Sequence, residues 1–219
     1  MIRIVSLLIL FSALSMQVAV AAQKTILVLG DSIAAGYGLD PEDAFPALLQ
    51  EKIDQSGLKY KVVNGGVSGD TTAGGLRRIG WLLRNPVDVL LLELGGNDGL
   101  RGIDPTETEK NLQGIIEKVR QKNPNAQILI AGMQMPENMG KEYTTRYREV
   151  FARVAKQNNA TLIPFLLEGV GGKAELNQAD RIHPTAEGHR IIAATIWKVL
   201  QPVLGGTTRS REMTYTPTK

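Results

Sequence analysis

The stretch ILVLGDSIAAGYG, residues 26–38, passes from four apolar residues straight into a glycine, an acid and a serine. A short run of Ile, Leu and Val closed by glycine reads as a strand buried on both faces, and the small residues after Ser32 allow a helix to start. Two readings of the junction follow. Gly30, Asp31 and Ser32 can supply flexible backbone and a helix cap. Alternatively, Ser32 is a nucleophile displayed where a strand meets a helix, and the rest of the chain must decide.

The same alternation recurs downstream. Further strand-like runs lie at Tyr60–Val63, Val87–Leu94, Gln127–Ala131 and Thr161–Phe165, after a first at Thr25–Leu29. Helical patterns fall near 42–55, 70–84, 105–122, 141–158 and 185–200. Asp104-Pro105-Thr106-Glu107 starts a helix well, with a cap, a proline at the first position and an acid at the third. Pro184 is expected to begin the last helix in the same way. Five strand–helix units without an internal repeat or linker predict one α/β domain, a three-layer α/β/α sandwich around a parallel sheet.

The ends are set apart from this domain. Met1–Ala22 carries one positive charge, Arg3, an apolar stretch from Ile4 to Leu14 and small residues from Ala19 to Ala22. It reads as a cleavable secretory signal peptide, because Ser12, Ser15 and Gln17 interrupt a run already short of the roughly 20 residues a membrane span needs. The domain is expected over residues 23–203, with 204–219 a flexible tail of low apolar content. The formal charge of +3 resides in these ends, so Gln23–Pro202 is neutral and offers no basic face for nucleic acid. The chain contains no cysteine, which excludes disulfides, a thiol nucleophile and a lipid on a cysteine at the cleavage site. A periplasmic or secreted location follows, without a stable membrane anchor.

In a parallel α/β sheet, ligands bind beyond the carboxyl ends of the strands. The polar, glycine-rich clusters fall there: Gly30-Asp31-Ser32 after the first strand, Asn64 to Asp70 after the second, and Gly95-Gly96-Asn97-Asp98 after the third. After the fifth comes Asp180-Arg181-Ile182-His183. A carboxylate three residues before a histidine can orient an imidazole that takes the serine proton, and the chain order Ser, Asp, His is one that hydrolytic triads use. Asp98 is a second candidate acid, less well spaced from His183, and Asn97 can be either a site residue or a cap for the helix that follows. His189, the other of two histidines, is expected to pack inside the last helix. Asp180, His183 and His189 without further ligands make a poor metal set, so no metal is expected. There is no P-loop and no G-x-G-x-x-G after the first strand, which argues against a nucleotide module. Ala34 occupies the last position of G-x-S-x-G, so the ordinary α/β-hydrolase elbow does not apply.

Taken together, these blocks resemble those of the SGNH, or GDSL-type, hydrolases, and most of all the bacterial periplasmic thioesterase, arylesterase and lysophospholipase group. The resemblance rests on GDSIAAGYG, VVNGGVSGDTT, ELGGNDGLRG and Asp180-Arg181-Ile182-His183, and spans roughly residues 25–203. It implies a flavodoxin-like strand order, 2-1-3-4-5. It also implies Ser32 as nucleophile, Asp180 and His183 as its partners, and an oxyanion hole from the Ser32 and Gly69 N–H groups and the Asn97 amide. No cofactor is implied. The implied activity is hydrolysis of carboxylic esters and thioesters of small or lipid substrates, with an O-acetyl esterase of acetylated sugars as the alternative. The loop Gly132–Gly140 holds three of the chain's six methionines. Because methionine adapts to flexible ligands, Met135, Pro136 and Met139 are expected to bind the acyl chain, while Met133 can equally fill the core.

Overall fold

The computed structural model describes residues 23–205. The expected leader, Met1–Ala22, and all but the start of the expected tail lie outside the described residues. Five strands, β1 (Lys24–Gly30), β2 (Tyr60–Asn64), β3 (Val89–Glu93), β4 (Gln127–Ala131) and β5 (Thr161–Ile163), form one sheet. Every pairing is parallel and the order is β2-β1-β3-β4-β5. Seven α-helices accompany them: α1 (Ser32–Ala35), α2 (Phe45–Gln55), α3 (Thr72–Leu82), α4 (Gly96–Leu100), α5 (Pro105–Lys122), α6 (Lys141–Gln157) and α7 (Ala186–Leu204). On one side α5 packs between α3 and α6, while α2 packs on α7 on the other, giving the expected three layers.

The apolar runs explain this order. In β1, Ile26–Leu29 are fully buried, and all five residues of β3 are buried, as strands covered by helices on both faces must be. With β1 between β2 and β3, Gly30 stands opposite Glu93. The loops after these three strands therefore open side by side.

Element boundaries differ from the sequence expectation for local reasons. β5 stops at Ile163 because Pro164 has no N–H for a ladder. The last helix does not begin on Pro184. Thr185 is its N-cap and accepts from the Gly188 N–H at 3.3 Å, while Pro184 pairs with Asn177 in an isolated bridge. That helix also runs through Pro202 to Leu204, beyond the expected end of the domain, with Leu200 and Leu204 buried against the core. The stretch at 42–55 splits into a 3-10 turn, Pro41–Asp43, and then α2. Among the described residues, no helix is long and apolar enough to cross a membrane.

Candidate active site

Ser32 is the first residue of α1, so its N–H is one of those a helix leaves without an internal partner. Asp31 caps the same helix, its Oδ1 accepting the Ile33 N–H at 3.0 Å. The cap and nucleophile readings of the GDS stretch are thus compatible: Asp31 is the cap and Ser32 is what it presents. Gly30 is required by close approach, since a Cβ there would lie 2.3 Å from Glu93 Oε2.

Across the sheet edge, His183 Nε2 lies 2.9 Å from Ser32 Oγ and its Nδ1 lies 2.6 Å from Asp180 Oδ2. Asp180 Oδ1 accepts the N–H groups of Ile182 and His183, at 2.9 and 3.0 Å. The turn that aims both amides at one oxygen places Arg181 in the left-handed region, at φ 59°. The hydrogen bonds to the His183 ring and to these two amides pull the Asp180 carboxyl down to about 2. An ionised carboxylate only accepts, so His183 Nδ1 carries the proton and Nε2 is left to accept from the Ser32 hydroxyl. The Tyr37 ring packs on the imidazole with centroids 4.5 Å apart. This arrangement can take a proton from Ser32 and return it to a leaving group.

Gly69 and Asn97 come from the flanking loops. Gly69 has φ 77°, a conformation open to glycine, and its carbonyl accepts from Arg101 at 3.0 Å. Asn97 is the second residue of α4, whose N-cap is Gly95, so the cap reading of Asn97 is excluded. Its Nδ2 donates to Asp31 Oδ2 at 3.1 Å. One amide hydrogen is thereby used to fix the side chain, and the second stays available to a ligand. The N–H groups of Ser32 and Gly69 donate to no acceptor among the described residues. Three donors are therefore open at one strand edge, as stabilising a developing oxyanion requires.

Beneath them lies a pair of acids that sequence reasoning did not assign to the site. Burial, opposed by the bonds from Ile33 and Asn97, pushes Asp31 up to about 6. Burial and the neighbouring Asp31 charge push Glu93 well above the usual carboxylate range; its Oε2 accepts the Asp31 N–H at 3.1 Å and its Oε1 has no partner among the described residues. The available signal was a carboxylate closing the apolar run VLLLE. Arg101 and Tyr37, on exposed loops, had no sequence signal.

The remaining candidates separate. Asp98 is fully buried and turned away from His183: it accepts the Thr72 N–H at 2.9 Å and pairs with the Thr72 and Thr108 hydroxyls, tying α3 and α5 to α4. His189 is buried in α7, its Nδ1 accepting the Phe45 N–H at 3.0 Å. Among the described residues, no three His, Cys, Asp or Glu side chains group as a metal site. A cleft of about 350 Å³ opens beside Ile33 and Gly96, lined also by Leu100, Met135, Pro136 and Phe165. Met133 lines its floor while belonging to the core, and half-buried Met139 stands outside the lining.

Known proteins share this architecture. Residues 28–191 match the GDSL-like Lipase/Acylhydrolase family. Esterase TesA of Pseudomonas aeruginosa is 43% identical over 185 residues, 84% of this chain and 91% of that protein. Thioesterase 1/protease 1/lysophospholipase L1 of Escherichia coli K12 is 40% identical over 185 residues, 84% and 86% of the two chains. The crystal structure of the psychrotrophic esterase EstA from Pseudoalteromonas sp., inhibited by monoethylphosphonate, superposes with a TM-score of 0.78 at 32% identity, covering 83% of this chain and 99% of that one. With a strand order, a set of loop residues and close relatives all in agreement, the chain belongs to the GDSL-like lipase/acylhydrolase family of ester hydrolases.

Proposed function

We propose that this hydrolase of esters and thioesters works through Ser32 as nucleophile, His183 as general base and acid, and Asp180 as the group that orients and charges-balances the imidazole. The observation that carries the reading is the unbroken relay from Ser32 Oγ through His183 to Asp180 at the edge of an apolar cleft. Ser32 Oγ attacks the acyl carbonyl as its proton passes to His183 Nε2. The oxygen that becomes negative is held by the N–H groups of Ser32 and Gly69 and the free amide hydrogen of Asn97. Collapse of the tetrahedral species expels the alcohol or thiol, which takes the proton from His183. Water, deprotonated by the same nitrogen, then attacks the acyl-Ser32 ester and releases the acid.

The acyl chain lies in the cleft against Met135 and Pro136, with Met139 supporting the loop. An acetyl group would leave most of about 350 Å³ unfilled, so the cleft favours longer acyl chains over acetylated sugars. Residues 1–22 act as a leader that directs the domain, which runs from residue 23 through Leu204, to the periplasm or the medium. Ser32→Ala tests the core of the reading. It should keep the parent's melting temperature and lose nearly all esterase activity, and an organophosphorus reagent should add one adduct to the parent, mapped to Ser32. An active variant, or an adduct elsewhere, overturns the assignment.

A further inference from the structure

Five large hydrophobic side chains are exposed among the described residues: Tyr37 (52%), Val67 (47%), Trp81 (64%), Leu100 (45%) and Ile182 (49%). Only Trp81, on α3, is remote from the site. Tyr37 packs on His183, Leu100 and Ile182 stand on the lip of the cleft, and Val67 lies two residues before Gly69, anchored by its N–H to the Gly30 carbonyl. Scattered single hydrophobic residues on a surface need no explanation, but four around one opening do. Two guanidinium groups share this rim. Arg101, next to Leu100, donates to the Gly69 carbonyl, and Arg181, next to Ile182, lines the cleft. Neither forms an ion pair among the described residues.

We propose that this rim docks the mouth of the cleft onto a phospholipid surface, Val67, Leu100 and Ile182 entering the acyl region and Arg101 and Arg181 meeting the phosphates. The pairing follows from chemistry. Apolar side chains gain by leaving water for the acyl boundary, and a planar guanidinium binds phosphate oxygens in a bidentate fashion. Tyr37 has the amphipathic ring that suits the headgroup level. Exposed acids also stand at the rim, Asp180 directly before Arg181, Glu137 in the cleft lining and Asp40 and Glu42 just after Tyr37, so the recognised group is the phosphate oxygen met by a guanidinium rather than net negative charge. A second copy of the chain seated on the same rim would seal the cleft, whereas a lipid surface presents acyl groups to it. That last point alone rests on the hydrolase reading.

The test is flotation of the full domain with vesicles of diether phosphatidylcholine, a zwitterionic lipid that offers phosphate but no carboxylic ester to cleave. The parent should float with them. Val67→Ser should lower the partition coefficient about tenfold, with turnover of soluble p-nitrophenyl butyrate unchanged, because Val67 lies outside the cleft lining. Arg181→Gln should lower it about fivefold. Trp81→Ser should change nothing. Hydrogen exchange on the unmutated chain supplies a readout independent of any variant: vesicles should protect residues 65–69, 99–101 and 181–183, and leave α3 unprotected. Absence of flotation, equal loss in Val67→Ser and Trp81→Ser, protection elsewhere, or a dimer that Val67→Ser dissociates would each overturn the proposal. Failure to hydrolyse the soluble butyrate would instead fall on the hydrolase reading and leave the vesicle result standing.

Discussion

Asp31→Asn should stabilise the fold at neutral pH and slow the enzyme, two opposite effects of one carboxylate. Burial lifts Asp31 from an ordinary value of 3.8 to about 6, so between these values the native state holds a proton that the unfolded chain has released. Stability therefore falls as pH rises through this window and levels above it. A displacement of about two pH units corresponds to on the order of 3 kcal/mol at neutral pH. The variant has no such titration and also removes the charge that helps raise Glu93, so the comparison reads the coupled pair, the remaining carboxylates being common to both proteins. The difference in unfolding free energy, variant minus parent, should therefore rise by roughly 2–3 kcal/mol between about pH 4 and about pH 7.5 in urea titrations. In the parent, Asp31 offers one oxygen to the Ile33 N–H and the other to Asn97 Nδ2. With the first contact kept, an amide at 31 turns its nitrogen toward the Asn97 nitrogen and the two donors conflict. Asn97 should swing away, lowering kcat by about tenfold to a hundredfold with little change in KM. A difference in stability that stays constant with pH would refute the argument from burial, and a parent-like kcat would refute the support of Asn97.

Other outcomes are expected on the same grounds. Asn97→Ala should cut kcat by about 100-fold or more with little effect on KM. Because Gly95 caps α4, any loss of stability comes from the Asp31 oxygen left without its donor, and steady-state kinetics of this one protein test the oxyanion role. For p-nitrophenyl esters of two to sixteen carbons, below their micelle-forming concentrations, kcat/KM should climb a few-fold per carbon, up to about 0.8 kcal/mol per buried methylene, until the cleft is full. Met135→Ala should flatten that rise, and a chain that prefers acetate throughout would return the sugar O-acetyl esterase reading to the front. The exported protein should begin at Ala22 or Gln23 by N-terminal sequencing, and an intact Met1 in the membrane fraction would refute the leader.

The strands were legible because the apolar runs are short, rich in Ile, Leu and Val, and closed by glycine or polar clusters, whereas their order came only with the family resemblance. Ser32, Asp180 and His183 stood out as candidates because each is a reactive residue in a small cluster after such a run, whereas Asn97 stayed open between site and cap until Gly95 was seen to cap α4. The supports of these residues were much harder to read. Glu93 hides at the end of a buried strand, where its environment depends on Gly30 of a strand more than sixty residues away. Arg101 acts through a backbone carbonyl, for which no side-chain pattern exists. Pro184 misled because proline suits both the first helical position and the residue outside the cap. Only the bond from Thr185 to the Gly188 N–H separates the two.

Because β1 is the first strand in chain order, Ser32 is laid down early in synthesis, yet the imidazole it bonds belongs to a residue 151 positions later. A nascent or truncated chain can therefore carry the serine, both flanking loops and all five strands and still lack the imidazole that bonds the serine. On the roles proposed for Ser32 and His183, hydrolysis needs the loop at 180–183 in place against the sheet edge. On the same proposed roles, catalytic turnover itself becomes a report that the final segment has folded.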